Sequence, residues 1–366
     1  MTNKKLNILL LAYYFAPDKI VGALRASYWY KNLPNAIDCE VTVLTANPHP
    51  EGDKVYTVPT QKRNLKSMLI KDPGVLWTNN VKSFLKNRAD INPDIVIITG
   101  GPFMHFTLTG WFKRRYNCKV ILDYRDPFAT NPGFNNGKIV RTVKKFFEKR
   151  FNRNADALVT VNEYCSTIIE NFKDKKNAII QNGFDETVQV EYVKPRLSGP
   201  VQLVYTGKFY FDPGKLVEAI QGTSFNLKYY GGDGNRLNTE YDNVQSLGLV
   251  PYAESVRAIA QSDVGVIQTY GEDFQSTTKL FDYIRCKRPI LIISDKYLNR
   301  GSIADELALY PNVFWSRNEE SEIRNTLKKI GNHNYIEPDD DFVNKFSRRR
   351  QMEKLVTLIN ELYETI

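Results

Sequence analysis

Sulfur and imidazole are scarce in this chain: 366 residues hold only 4 Cys, 4 Met and 3 His. Cys39, Cys118, Cys165 and Cys286 stand far apart, with no CxxC pair and no histidines at metal-ligand spacing. That pattern argues against a structural zinc site or a disulfide framework and fits the reduced thiols of a cytoplasmic protein. Nowhere does an apolar run reach the roughly 20 residues that a membrane-spanning helix needs, so any membrane contact is expected to be peripheral. The opening MTNKKLNILLLAYYF joins a basic tip to an apolar stretch, but the stretch is short, rich in strand formers and without a small-residue cleavage site; it reads as a first strand. Neither GxGxxG nor GxxxxGK[ST] occurs. A dinucleotide-dependent dehydrogenase and a P-loop NTPase are therefore disfavoured, since both need that glycine spacing to bring backbone against a pyrophosphate. Fixed-period repeats are missing too, which removes solenoids and propellers. Acids are outnumbered, 41 Asp and Glu against 50 Lys and Arg, and the net charge of +9 implies an anionic partner.

What the chain does have is apolar surface, 42% of its residues, and a regular rhythm. Its length suggests two domains of roughly 100–200 residues each. Strand-length apolar runs alternate with helix-period segments, the pattern of parallel sheets covered by crossover helices, and the fold class is expected to be α/β. In the first half LNILLLAYYF, EVTVLT, DIVIITG, KVILDYRD, ALVTVN and NAIIQNG read as six strands of one doubly wound sheet. Residues 186–200, with two prolines and a Ser-Gly pair, read as a linker. The rhythm then restarts with VQLVYTG, FNLKYYGG, NVQSLG, DVGVIQTY, PILIIS and NVFWS as a second sheet. Domains are accordingly expected at 1–190 and 191–345. The tail 346–366 reads as an amphipathic helix carrying Phe346, Leu355, Leu358, Ile359 and Leu362.

In doubly wound folds ligands sit beyond the carboxyl ends of strands, where loops meet helix N-termini. Glycines mark three such loops: Gly22, Gly100-Gly101 and Gly231-Gly232-Asp233-Gly234. The most informative stretch is 263–294, DVGVIQTYGEDFQSTTKLFDYIRCKRPILIIS, which reads strand, polar loop, helix start, proline, strand. Thr277 and Thr278 can cap that helix, its first amides can hold diphosphate oxygens, and Lys279 adds a point charge. Asp282, one turn on, can accept from vicinal hydroxyls.

Thr278-Lys279-Leu280-Phe281-Asp282-Tyr283 with Arg288-Pro289-Ile290 resembles the donor-binding segment of glycosyltransferase family 4. Asp123-Tyr124-Arg125-Asp126-Pro127-Phe128 resembles a signature of the capsule, O-antigen and exopolysaccharide branch of that family. Tyr205-Thr206-Gly207-Lys208, Gly248-Leu249-Val250-Pro251-Tyr252 and Gln181-Asn182-Gly183-Phe184-Asp185 match further pieces in the right order, as does Asp72-Pro73 followed by Trp77. The resemblance spans nearly the whole chain. It implies a GT-B fold, two Rossmann-like domains facing a cleft, with the C-terminal helix returning to the first. It also implies retaining transfer of a sugar from a nucleotide diphosphate to a saccharide acceptor, free or lipid-linked, without metal or other cofactor.

On that reading the donor would be held by Gly22, Gly207, Lys208, Gly232, Val250, Pro251, Glu272, Thr278, Lys279, Leu280 and Asp282. Lys279, Lys208, Asp126, Arg125 and His105 would serve the reaction, and Arg25, Gly101 and Asp126 the acceptor. One departure is visible: the family's two acids have seven residues between them, and counting back from Asp282 reaches Phe274, with Glu272 and Asp273 nearby. Two other readings remain, a sugar-nucleotide epimerase or hydrolase and a catalytically silent sugar-nucleotide-binding subunit. The segment 61–88, basic residues interleaved with Leu65, Met68, Leu69, Ile70, Val75, Leu76 and Trp77, suits either an anionic membrane surface at the inner face of the cell membrane or an ordinary packed helix pair. No nucleic-acid module is recognisable.

Overall fold

The computed structural model describes residues 5–18, 20–61, 72–131, 137–237 and 239–364. Two compact units emerge: Met1–Asn182 with Gln351–Ile366, and Gly183–Arg350.

The first unit is built on seven parallel strands: β1 (Leu6–Leu11), β2 (Cys39–Thr45), β3 (Val55–Thr57), β4 (Ile95–Thr99), β5 (Lys119–Tyr124), β6 (Ala157–Thr160) and β7 (Lys176–Ile179). Their order across the sheet is β3-β2-β1-β4-β5-β6-β7. Between them run α1 (Val21–Ala36), α2 (Gly74–Lys86), α3 (Thr109–Tyr116), α4 (Lys138–Asn154) and α5 (Glu163–Ile168). Central β4 is buried at all five positions, which a parallel strand covered on both faces requires and which its unbroken IVIIT supplies. The third strand was not among the six expected. It is three half-buried residues on the sheet edge, too short to leave an apolar run in the sequence.

The second unit has six parallel strands: β8 (Val201–Thr206), β9 (Phe225–Tyr230), β10 (Val244–Ser246), β11 (Val264–Thr269), β12 (Ile290–Ser294) and β13 (Val313–Arg317), in the order β10-β9-β8-β11-β12-β13. Its helices are α6 (Gly214–Ile220), α7 (Tyr252–Ala260), α8 (Thr278–Arg285), α9 (Gly301–Glu306), α10 (Glu320–Gly331) and α11 (Asp340–Asn344). Successive residues of β8 feed opposite cores: Leu203 and Tyr205 pack with Ile323 and Leu327, whereas Val204 packs with Ile259, Leu280 and Ile284.

The stretch read as a linker is part of this second unit, and the division falls at 182/183 instead of 190/191. Two arginines and an aspartate pin it down. Arg285 donates to the carbonyls of Asp185 (2.5 Å) and Val188, Arg288 to that of Val193, and Asp263 accepts from the amide of Arg196 at 2.8 Å. These bonds join residues 67 to 100 positions apart in sequence, so no local signal announces them.

The last helix, α12 (Arg348–Tyr363), buries Met352, Leu355, Leu358, Ile359 and Leu362 in the same core as Ile8, Leu10, Val41 and Ile180 of the first unit. All four cysteines are buried, and none forms a disulfide among the described residues. Among the described residues no helix is long and apolar enough to cross a membrane. Because Leu355 and Ile359 are fully buried in that core, Leu355→Ala or Ile359→Ala is expected to cost about 2–5 kcal/mol, read as a lowered urea midpoint.

Candidate functional site

Each sheet reverses its strand order once, between β1 and β4 in the first unit and between β8 and β11 in the second. Loops leaving the two reversal strands part there and open a crevice at the carboxyl edge. The two sites are built differently.

In the second unit, Lys279 opens α8, the helix that follows β11. Its side chain runs to the turn after β8: a methyl placed on Gly207 would come 3.8 Å from the ammonium. Gly207 itself sits at φ +84°, where a β-carbon is disfavoured. The ammonium lies 3.9 Å from the centre of the Tyr205 ring and 5.9 Å from that of Tyr210. Among the described residues no carboxylate pairs with it, and burial alone pulls its pKa from 10.5 to about 7. A charge held this way over an aromatic face and beside a bare turn is suited to an anion.

The first turn of α8 adds donors. The amides of Thr278 and Lys279 bond to no other described residue, whereas the Leu280 amide already donates to the carbonyl of Thr277 and its side chain is in the core. Leu280 therefore cannot offer the donor contact expected of it. Thr277 occupies the cap position with extended backbone, but its side chain caps nothing, so the expected hydroxyl cap is not made.

Asp282 is buried one turn along and accepts from the Tyr252 hydroxyl at 2.6 Å. Burial pushes its carboxyl up to about 6, against the pull of that hydrogen bond and of Arg348 and Arg285. Lys208 and Gly232 are exposed, Val250 is half-buried and Pro251 exposed at the start of α7. The two acids near the family spacing are engaged elsewhere: Glu272 pairs with Lys296 at 2.8 Å, and Asp273 pairs with Arg300 through both oxygens.

In the first unit, the Arg125 guanidinium lies between two glycine loops. It donates to the carbonyls of Gly100 (2.9 Å) and Gly101 (3.3 Å), and a β-carbon at Gly22 would come 2.6 Å from it. A β-carbon at Gly101 would also collide with it. Gly22 and Gly101 thus act by having no side chain. Asp126, the next residue, is exposed, and among the described residues its carboxylate makes no hydrogen bond or ion pair.

Two expectations fail here. Arg25 was expected to touch an acceptor, but its guanidinium is buried, paired with Asp123 at 2.9 Å and bonded to the carbonyls of Ile180 and Gln181. It ties α1 to β5 and to the end of β7. His105 was expected near the chemistry, but it is fully buried, edge-on to Trp77 at 5.3 Å, with Nε2 against the carbonyl of Thr99 at 2.9 Å. Burial lowers its pKa to about 4, so it is a neutral core residue. Its neighbour Asp72 likewise serves the framework, accepting from the amides of Gly74, Phe103 and Met104.

The sequence reading missed Tyr205 and Tyr252 as partners. Tyr205 alternates inward on β8 and precedes a Thr-Gly turn, a signal that could have nominated it. The Tyr252 to Asp282 bond joins residues 30 apart and leaves no such trace. Among the described residues no cluster of three His, Cys, Asp or Glu gathers where a metal could be held.

Residues 32–188 match the family model described as Glycosyltransferase Family 4. No curated protein matches the chain by sequence. Solved structures share its fold. Sucrose-phosphate synthase from Thermosynechococcus elongatus superposes with a TM-score of 0.69 at 15% identity, covering 99% of this chain and 100% of that one. HepE from Anabaena, solved with UDP, gives 0.64 at 11% identity over 97% and 100%. The UDP-GlcNAc 2-epimerase from Neisseria meningitidis, bound to UDP-GlcNAc, gives 0.57 at 11% identity over 97% and 100%. At these identities the likeness establishes the fold alone, GT-B, two α/β units each on a parallel sheet.

The buried Lys279 makes a prediction independent of ligand. The unfolded chain keeps the Lys279 proton up to about 10.5, whereas the folded chain releases it near 7, so the unfolded state binds more protons throughout that window. Lys279 should therefore destabilise the fold most below pH 7. Urea unfolding of Lys279→Met is expected to show a variant more stable than the parent, with the gap narrowing as pH rises from 7 toward 10.5.

Proposed function

We propose that this chain is a retaining glycosyltransferase, of hexosyltransferase type, that moves a sugar from a nucleoside-diphosphate donor to a saccharide acceptor. The observation that carries the reading is Lys279, a buried ammonium with no carboxylate partner among the described residues, at the reversal point of the second sheet. A permanently buried charge lowers stability unless something pairs with it, and a diphosphate is the partner that the neighbouring free amides and bare turn suit best.

In the proposed reaction the donor diphosphate lies against Lys279, the amides of Thr278 and Lys279, and Lys208. Asp282, oriented by Tyr252, takes the ribose hydroxyls with its remaining oxygen, and the Gly248–Tyr252 loop takes the base. As the bond from the anomeric carbon to the phosphate oxygen breaks, the acceptor oxygen bonds to the same face of that carbon. The acceptor's proton passes to the departing phosphate oxygen, so no separate carboxylate base is needed. Charge building on the leaving group is neutralised by the lysines and the helix start, the task that a divalent cation performs in other transferases. Arg125 and Asp126 contact the sugar or the acceptor. Two structural relatives, one in complex with UDP and one bound to UDP-GlcNAc, support a nucleotide-sugar donor. The resemblance of the Asp123–Phe128 motif supports work in cell-surface polysaccharide assembly, of the capsule or lipopolysaccharide kind, on a lipid-linked acceptor at the cytoplasmic face of the membrane.

A thermal-shift panel of nucleotide sugars tests the donor: the right one at 100 times its dissociation constant adds about 2.7 kcal/mol of stability. With that donor, Lys279→Ala is expected to lower kcat/KM at least tenfold, about 1.4 kcal/mol, and EDTA to leave turnover unchanged. Unaltered kcat/KM in the variant would remove Lys279 from the mechanism. Consumption of donor without acceptor would instead indicate the epimerase or hydrolase reading, and binding without any turnover the silent subunit.

A further inference from the structure

Of the segment 61–88 that the sequence offered for membrane contact, residues 62–71 lie outside the described residues. In the described part Leu76, Trp77, Val81 and Leu85 of α2 are buried, and Arg88 is paired with Asp90. Those apolar residues serve the core. A different surface of the same unit has the opposite character.

Helix α4 reads KIVRTVKKFFEKRFNRN. One side of it, Lys144, Glu148, Phe151 and Asn152, is buried against the unit. Ile139, Val143 and Phe146, spaced four and three apart, share the opposite side and are 82%, 41% and 64% exposed. Continuing that stripe toward the helix end are Arg150 and Arg153; Lys138 stands beside its start, and Arg141, two residues from Ile139, lies toward the side of Lys144 and Glu148. All four are exposed, and among the described residues none of their side chains makes an ion pair. Lys145 and Lys149 share Glu170. The helix's one acid, Glu148, is buried, so every charged side chain that the helix itself exposes is basic. Helix α3 adjoins it, a methyl on Gly110 coming 3.4 Å from Asn154, and adds the exposed Arg114 and Arg115.

We propose that the α4 face docks on an anionic lipid bilayer, with Ile139, Val143 and Phe146 entering the headgroup boundary and the surrounding Lys and Arg meeting acidic headgroups. Charge complementarity selects this occupant: an apolar stripe ringed by unpaired cations is the composition of an interfacial helix. A second copy fits poorly, because a two-fold contact would set the same cations against one another. The inference does not rest on glycosyl transfer, since lipid binding needs no donor.

Cosedimentation with vesicles of phosphatidylcholine, with and without phosphatidylglycerol, tests it. The protein is expected to bind only the anionic vesicles, less so as NaCl rises. Ile139→Ser, Val143→Ser and Phe146→Ser together, and separately Arg150→Glu with Arg153→Glu, should each reduce partitioning at least about tenfold while thermal unfolding stays unchanged. Failure to bind anionic vesicles overturns the proposal. So does binding by both variants equal to that of the parent, a dimer in solution that Phe146→Ser dissociates, or oligonucleotide binding in place of vesicle binding.

Discussion

An ammonium buried without a counter-ion is the feature on which the second unit turns. Lys279 stands where the fold alone would favour a methionine: beneath the loops of an open parallel sheet, over Tyr205, with no carboxylate among the described residues within pairing distance. Everything around it preserves that situation. Strand β8 brings Tyr205 inward and then turns on Gly207, whose missing side chain leaves the ammonium an open side. Strand β11 delivers α8 so that two unbonded amides face outward beside the same charge. Local costs that do not relax elsewhere in a structure are what function leaves behind.

The first unit obeys the same topology and reaches a different end. Several of its buried polar groups are spent on the framework: Arg25 on Asp123, Asp72 on three amides, His105 on a carbonyl. What these contacts achieve is rigidity around the turns that hold Arg125. Its guanidinium is clamped by carbonyls on one side and by the bare α-carbons of Gly22 and Gly101 on the other, and Asp126 beside it stays open. A pre-set arginine next to a free carboxylate can orient a hydroxylated ligand without moving, whereas the second unit waits for an anion to complete its charge balance.

Much of this was legible in the residues, and the failures have a common cause. Continuous apolar runs announced β4 and β12 because a strand covered on both faces has no room for alternation, and the Thr-Lys-Leu start of α8 followed from strand, polar loop and helix period. The half-buried β3 left no such run. Arg25, His105 and the 186–200 stretch were misjudged because each takes its meaning from partners far along the chain. Nothing near Arg25 reveals Asp123, 98 positions on, and nothing near Pro195 reveals that arginines from α8 and the turn after it will hold that stretch. Patterns fix which face of an element is inward; they do not say which polar group waits on the other side. Phe274, standing where the family sets an acid, shows the converse, a local departure that the structure meets by committing Glu272 and Asp273 to surface ion pairs.

The α4 face connects these themes, because its buried side reaches the loop that carries Asp126, the residue proposed to meet the sugar or the acceptor. Glu148 accepts from the amide of Ala129 at 3.4 Å, and the Lys144 ammonium lies 4.9 Å from the Phe128 ring. Both contacts fall within three residues of Asp126. The helix that offers Ile139, Val143 and Phe146 outward therefore braces, on its other side, the turn that carries the open carboxylate. A substrate tethered to lipid reaches an enzyme confined to two dimensions, and the gain from docking depends on whether the reacting loop is held in a fixed relation to the bilayer. A rigid helix whose two sides meet the membrane and the loop supplies that relation by geometry, without any conformational change.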